Sequence, residues 1–228
     1  MKYRLVTPES DVEIAGILRK IRLSMNGIVS GQMTLNGIIY KENYGVTIPR
    51  IKEIASSYAP DHDLAQRLWN LKIREMMIMA TLLEPVDRFT PEMAGEWVAY
   101  FNQIEITEQA CMNLFCKLPF SNTLCKEWTA SEDVWIQVAG FILAARIAGT
   151  LDQTETDAIV GEAIKASATG NFHLYKSVAL CLSRFCRKGK GTAAYILKEI
   201  TAISQTTSIG QRYISTEVKQ EILFLDIL

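Results

Sequence analysis

This chain is poor in histidine, the side chain that enzymes recruit most often for acid–base chemistry. It has two histidines, His62 in a DHD helix start and His173 in the first turn of another expected helix. There is no GxSxG turn and no cysteine in an identifiable histidine neighbourhood, which argues against serine- and cysteine-hydrolase chemistry. HExxH is absent, and the five cysteines (Cys111, Cys116, Cys125, Cys181 and Cys186) include no CxxC pair. No metal and no cofactor are therefore expected, and the thiols read as small buried hydrophobes in a reducing compartment. The KGKGT stretch at Lys188–Thr192 resembles part of a phosphate loop, but it lacks the GxxxxGK[ST] frame and follows a helix rather than a strand.

Other absences bear on partners. No apolar run reaches the roughly 18 residues of a membrane span, and MKYRLVTPESDVEI has no apolar signal core. A cytoplasmic protein without a membrane partner is expected. The formal net charge is −1. No global positive field draws this chain to nucleic acid, so such a role needs a local basic patch. Strand-like alternation is also nearly missing, with only GIVSG and NGIIY carrying short β-branched runs.

What is present is helical periodicity in a chain of 228 residues, 49% apolar and 21% charged, a globular composition. The first helix is expected to start at TPES, with Thr7 as N-cap and Pro8 at the first helical position. NGIVSGQMTLNGIIYKENYG, with its glycines, reads as a short helix and a loop. From TIPRIKEIASSYA onward, short helices alternate with short breaks at Pro60, Pro85 and Pro119, and Ser131 is expected to cap SEDVWIQVAGFILAARIAG. Roughly a dozen helices result, and none of the breaks has the length or composition of a domain linker. The expected fold is all-α: a HEAT-like helical repeat solenoid, an α-α superhelix curved around a concave groove. Sequence self-similarity between helix pairs is weak, and a compact irregular α-domain is the alternative. One domain over 1–228 is expected, with less typical helices at 1–43 and a C-terminal helix in 205–228.

Three groups of residues are candidates for function. Between Lys176 and Lys198 stand six basic residues (Lys176, Arg184, Arg187, Lys188, Lys190 and Lys198) with no Asp or Glu. They form either a solvated face with helix-terminal cations or a phosphate-binding patch. Trp69, Trp97, Trp128 and Trp135 all fall in apolar helical surroundings, where core packing is the default. In WVAYFNQIEITEQACMNLF the apolar residues recur at helical spacing, and Glu105 and Glu108 sit three apart, close to one face. They are either a wet edge or part of a site.

YGVTIPRIKEIA (Tyr44 to Ala55) followed by LAQRLWNLKIREMMIMATLLE (Leu64 to Glu84) resembles the DNA alkylation repair family of AlkD type. The likeness is carried by Tyr44-Gly45-Val46, Pro49-Arg50, Leu68-Trp69 and the helix from Glu75 to Leu83. The order of elements continues to about Ser204. The resemblance implies a stack of HEAT-like repeats whose groove holds duplex DNA. It also implies glycosylases that remove cationic alkylated purines, with an aspartate stabilising the sugar cation as the base leaves. Carried over by residue, the aspartate position falls on Glu108 and a tryptophan four positions earlier falls on Ile104. Trp135 matches a family tryptophan, an expected arginine becomes Val138, and a later tryptophan becomes Leu180. Lys176 and Arg184 match basic positions.

Glu108 keeps the charge, but its extra methylene displaces the oxygens, and a misplacement on the order of 1 Å can cost roughly a hundredfold in rate. The resemblance thus implies a DNA-binding monomer with Glu108 as the catalytic group if excision survives in weakened or altered form. Glu105 is then solvated edge, and Lys176, Arg184, Arg187, Lys188 and Lys190 contact duplex DNA. The competing reading is a non-catalytic helical scaffold for a protein or another nucleic-acid structure.

Overall fold

The computed structural model describes residues 8–204 and 208–226, so the expected Thr7 cap lies outside the described residues. Thirteen α-helices form among them: α1 Pro8–Leu23, α2 Gly27–Leu35, α3 Ile48–Ala55, α4 His62–Leu71, α5 Arg74–Leu83, α6 Pro91–Val98, α7 Ile104–Asn113, α8 Ser121–Thr129, α9 Val134–Arg146, α10 Gln153–Ala166, α11 Phe172–Cys186, α12 Lys190–Ala202 and α13 Ile209–Leu225. No strand forms among the described residues, and the β-branched GIVSG run is helical, in α2. The breaks are short. Lys72 turns the chain between α4 and α5 at a left-handed φ of 58°, and Pro85 follows directly on the C-cap of α5, Glu84.

Capping follows side-chain chemistry in detail. Asp61 accepts from the Leu64 N–H, Asn171 accepts from the Leu174 N–H, and Asp152 with Glu155 forms a reciprocal capping box. At α9 the cap is Asp133 rather than the expected Ser131. Asp133 accepts from the Trp135 and Ile136 amides, while Ser131 accepts from the Asp133 N–H. Two acceptors within three residues compete for the same orphan donors, and the carboxylate takes those of the helix.

The chain gathers into two compact units, one containing the described residues up to Thr90 together with Gln103–Leu114, the other Pro91–Asn102 and everything from Phe115 onward. In the first, α5 packs against α3, α4 and α7, with α1 on α3 and α4. The motif that begins the family likeness is fixed here by one buried carboxylate. Glu75 is fully buried and accepts from the backbone N–H groups of Tyr44 and Val46 at 3.2 Å. Between them Gly45 has φ +68°, and a Cβ there would stand 2.1 Å from the Asn26 carbonyl oxygen. Only glycine fits the turn.

The second unit shows the repeat directly. Helices α8, α10 and α12 form one row and α9, α11 and α13 the other, with α8–α9, α10–α11 and α12–α13 as successive pairs. This two-row stacking is the HEAT-like arrangement, each pair burying its apolar stripe against its neighbours. Val138, Phe141, Leu143, Val178, Cys181, Leu182, Phe185, Ile214 and Val218 are all buried between these helices. Trp69, Trp97 and Trp128 are buried as their surroundings predicted, and Trp135 is half-buried.

Candidate nucleic-acid interface

Helix α11 carries an exposed stripe. Phe172, Lys176, Leu180, Arg184 and Arg187 are all exposed, and their spacing of four, four, four and three residues keeps them on one helical face. Opposite faces of the same helix supply the core, because Leu174, Val178, Cys181, Leu182 and Phe185 alternate with the stripe at helical period.

Two clefts flank the stripe. Toward α9, a cleft of about 340 Å³ is lined by Ala145, Arg146, Leu180 and Arg184. Among the described residues no carboxylate pairs with Arg146 or Arg184. Toward α13, a cleft of about 310 Å³ is lined by Lys176, Leu180, Arg184, Arg187, Tyr213, Glu217 and Glu221 among others. Here the charge is mixed, since Glu221 holds the Arg187 guanidinium at 2.6 Å. A polyanion is therefore favoured most on the α9 side, where two cations stand without an acid.

Above the second cleft lies a group of rings. Phe172 meets Tyr175 edge-on at 5.7 Å, and Tyr175 meets Tyr213 of α13 at 5.0 Å. The Lys176 ammonium sits 4.4 Å from the centre of the Phe172 ring and 5.8 Å from that of Tyr213. Trp135 of α9 lies 5.2 Å from His173. Burial, and then the charge of Lys176, hold the His173 imidazole below its ordinary value, which favours the neutral ring beside the indole.

The remaining cations expected to contact DNA are placed differently. Lys188 donates to the carbonyls of Ala148 at 2.7 Å and Leu151 at 2.6 Å, tying down the α9–α10 connection. Lys190 is exposed at the first residue of α12, outside the linings of both clefts. Arg146, Phe172 and Tyr213 are the contributors that sequence reading did not single out. Arg146 lies outside the basic cluster counted along the sequence. The signal for Phe172 was in α11, where the period that makes Val178 and Leu182 core puts it outside.

In the first unit Glu108 is exposed on α7. Glu105 is no wet edge. Arg74 grips it with two guanidinium nitrogens, Nε to Oε2 at 2.7 Å and Nη2 to Oε1 at 2.6 Å, and the Tyr40 hydroxyl donates to it at 3.2 Å. Burial and then the Glu105 charge push the Tyr40 phenol up, so it remains the donor. Arg74 also reaches Glu75, so the two glutamates of different helices share one guanidinium. Of the other positions assigned by resemblance, Ile104 opens α7 half-buried and Leu180 is exposed. Val138 is fully buried and offers no donor to a phosphate.

Nucleophile and metal chemistry find no support in the cysteines or acids. Cys111, Cys125, Cys181 and Cys186 are buried free thiols and Cys116 is half-buried. Burial, with Glu155 beside it, pushes the Cys125 thiol up to about 12, and burial with Glu221 does the same to Cys186. No cluster of three or more metal-ligating side chains occurs among the described residues. Nor is any helix among them long and apolar enough to cross a membrane.

Known proteins resemble this chain at the level of profile and fold. Residues 32–194, more than half of the chain, match the family profile described as DNA alkylation repair enzyme. No curated protein matches it in sequence. A solved structure, from a family related to the HEAT-like repeat DNA glycosylases with affinity for branched DNA structures, superposes with a TM-score of 0.79 at 10% identity. That match covers 93% of this chain and 95% of the other. An identity this low speaks for the shared fold. The two-row helix stacking and the profile spanning both units agree, and the chain belongs to the DNA alkylation repair enzyme family.

Proposed function

We propose that the protein binds DNA through the sugar-phosphate backbone, using Arg146, Lys176 and Arg184 on the α9–α11 face. The observation that carries this reading is the cleft holding Arg146 and Arg184, which have no carboxylate partner among the described residues. Two unneutralised guanidinium groups across one cleft suit successive phosphates, which they can hold by paired N–H donors. Family membership supports DNA as the polyanion. The affinity for branched DNA of the family of the superposed structure extends the reading to DNA that is not continuous B-form duplex.

Base excision is the second reading, and the exposed carboxylate of Glu108 on α7 favours it. A carboxylate fixed beside the sugar would stabilise the cation that develops as an alkylated purine leaves. The absent ring at Ile104 removes a face worth about 0.5–2 kcal/mol to a cationic base, so any excision is slow.

One experiment tests both readings. Binding is measured to a duplex carrying one N7-methylguanine and to its undamaged control, with released base assayed in the same tubes. DNA binding by the wild type, weakened about tenfold by Arg184→Ala (one charge-assisted hydrogen bond of about 1.5 kcal/mol), is the expected result. Base release above the spontaneous rate that Glu108→Gln abolishes establishes the second reading, and release unaffected by that change removes Glu108 from it. Absence of DNA binding leaves the non-catalytic scaffold for a protein partner.

A further inference from the structure

The ring group on α11 and α13 is built as a surface rather than as core. Phe172 is 51% exposed although it is the first residue of a helix whose inner face is mostly apolar. Its edge contacts with Tyr175 and His173, at 5.7 and 5.4 Å, fix the plane of the ring from two sides. Tyr213 is brought to it by a separate device. Gly210 on α13 lies so close to the α10–α11 turn that a Cβ would stand 2.5 Å from the Thr169 carbonyl oxygen. Gln211 adds a hydrogen bond to the Ser167 hydroxyl at 3.2 Å. These contacts anchor the start of α13 and with it the approach of Tyr213 to Tyr175.

The geometry points to a docking site for an unpaired nucleobase of single-stranded or branched DNA on Phe172 and Tyr213, with Lys176 transferring from the rings to the neighbouring phosphate. The inference rests on the DNA-binding reading and names the kind of DNA that reading leaves open. Lys176 belongs at once to the ring group and to the cleft containing Arg184. A cation above an exposed ring is weakly held. A base that replaces it gains a stacking surface, while the displaced ammonium gains a phosphate. Aromatic platforms beside a cationic track are the general means of holding single strands without reading sequence. A base inside a duplex has both faces covered by its neighbours and cannot use the platform, so the site favours strand ends, flaps and junctions.

The test is equilibrium binding of the full chain to three probes: a blunt duplex, the same duplex with a single-stranded thymidine tail, and that tailed duplex with abasic sites throughout the tail. The abasic tail keeps every phosphate and removes every base. The wild type is expected to prefer the thymidine tail over the abasic tail by about 5- to 150-fold, the factor equivalent to about 1–3 kcal/mol for one stacked base. Phe172→Leu, which keeps an apolar side chain without the ring, is expected to abolish that preference. Phe172→Trp should retain the preference. Because Phe172 is half-exposed, the leucine variant should keep the wild-type melting temperature. Equal affinity for thymidine and abasic tails, or a preference that survives Phe172→Leu, overturns the inference while salt-dependent duplex binding stands. Failure to bind any of the three probes overturns the DNA-binding reading and this inference with it.

Discussion

Arg74 and Glu75 are adjacent in sequence and both buried, yet they do different work. Glu75 satisfies the amides of the Tyr44–Val46 turn, and Arg74 neutralises it while reaching across to Glu105 and the Val46 carbonyl at 2.8 Å. Removal of the guanidinium leaves a fully buried carboxylate without its cation. Arg74→Ala is therefore expected to destabilise the fold by about 3–5 kcal/mol, read as a lowered midpoint in urea. Two residues earlier, Lys72 is left-handed and partly desolvated, its ammonium 4.9 Å from the Trp69 ring. Burial lowers its pKa from 10.5 to about 8. Between those values the unfolded chain holds the proton and the folded chain does not, so the contribution of Lys72 to stability rises with pH across that window. The buried thiols of Cys125, Cys181 and Cys186, pushed up by burial, pull stability down as the unfolded chain loses their protons around pH 9. The raised tyrosines do so above pH 10, so the Lys72 contribution is read as the difference between wild type and a Lys72 variant. Lys72→Gly should remove that contribution, so that stability falls more steeply between about pH 8 and 10 in the variant than in the wild type. It should also relieve the left-handed backbone for a net gain of about 0.5–1 kcal/mol, because glycine's unfolded-chain entropy offsets part of the relief. Thermal melts at pH 8 and 10 measure both effects. At this scale the sequence was a poor guide to Glu105. Its partner Arg74 is 31 positions away, and spacing within WVAYFNQIEITEQACMNLF carries no information about it.

Helices were far easier to read than pairings. The periodicity of apolar residues, the proline breaks and the Asp and Asn caps all act within a few residues, so α3 to α13 stand close to where their sequence places them. Which helix presents which face depends on neighbours distant in the chain. The basic cluster illustrates the difference. Counted along the sequence, Lys176 to Lys198 is one group, but α11 turns Lys176, Arg184 and Arg187 to its exposed stripe, Lys188 bonds the α9–α10 connection, and Lys190 starts another helix. Arg146, which completes the α9 side, is 38 residues from Arg184 in the chain and was not part of that count. The stripe is positioned by the packing of its row, and α9 packs closely on α8 at Gly140. A Cβ there would stand 2.5 Å from the Thr129 amide nitrogen and 2.7 Å from the Trp128 carbonyl carbon, backbone atoms that cannot swing aside. Gly140→Ala should push α8 from α9 and cost about 1–3 kcal/mol. A denaturation midpoint equal to that of the wild type would show that the pair has room that this packing denies.

At the scale of the whole chain, family and fold were legible while the chemistry was not. Residues 32–194 match the family profile at a point where a solved fold relative shares only 10% identity. The sequence features that carry the fold are those a helical stack needs: the Gly45 turn, the Glu75 carboxylate beneath it, and the apolar stripes. Positions taken from the resemblance for lesion recognition fare differently, since Val138 is buried and Leu180 offers no ring. A chain of net charge −1 has no long-range pull on DNA. The central claim is that a local face supplies it, and salt dependence bears on that claim without intermediaries. Affinity for a DNA duplex should be measured over a range of salt for the wild type and for a variant combining Arg146→Ala with Arg184→Ala. Log affinity should fall linearly with log salt, and the slope should be shallower by about two in the double variant, one for each phosphate that is no longer neutralised. An affinity indifferent to salt, or a slope that the double variant leaves unchanged, would overturn the claim.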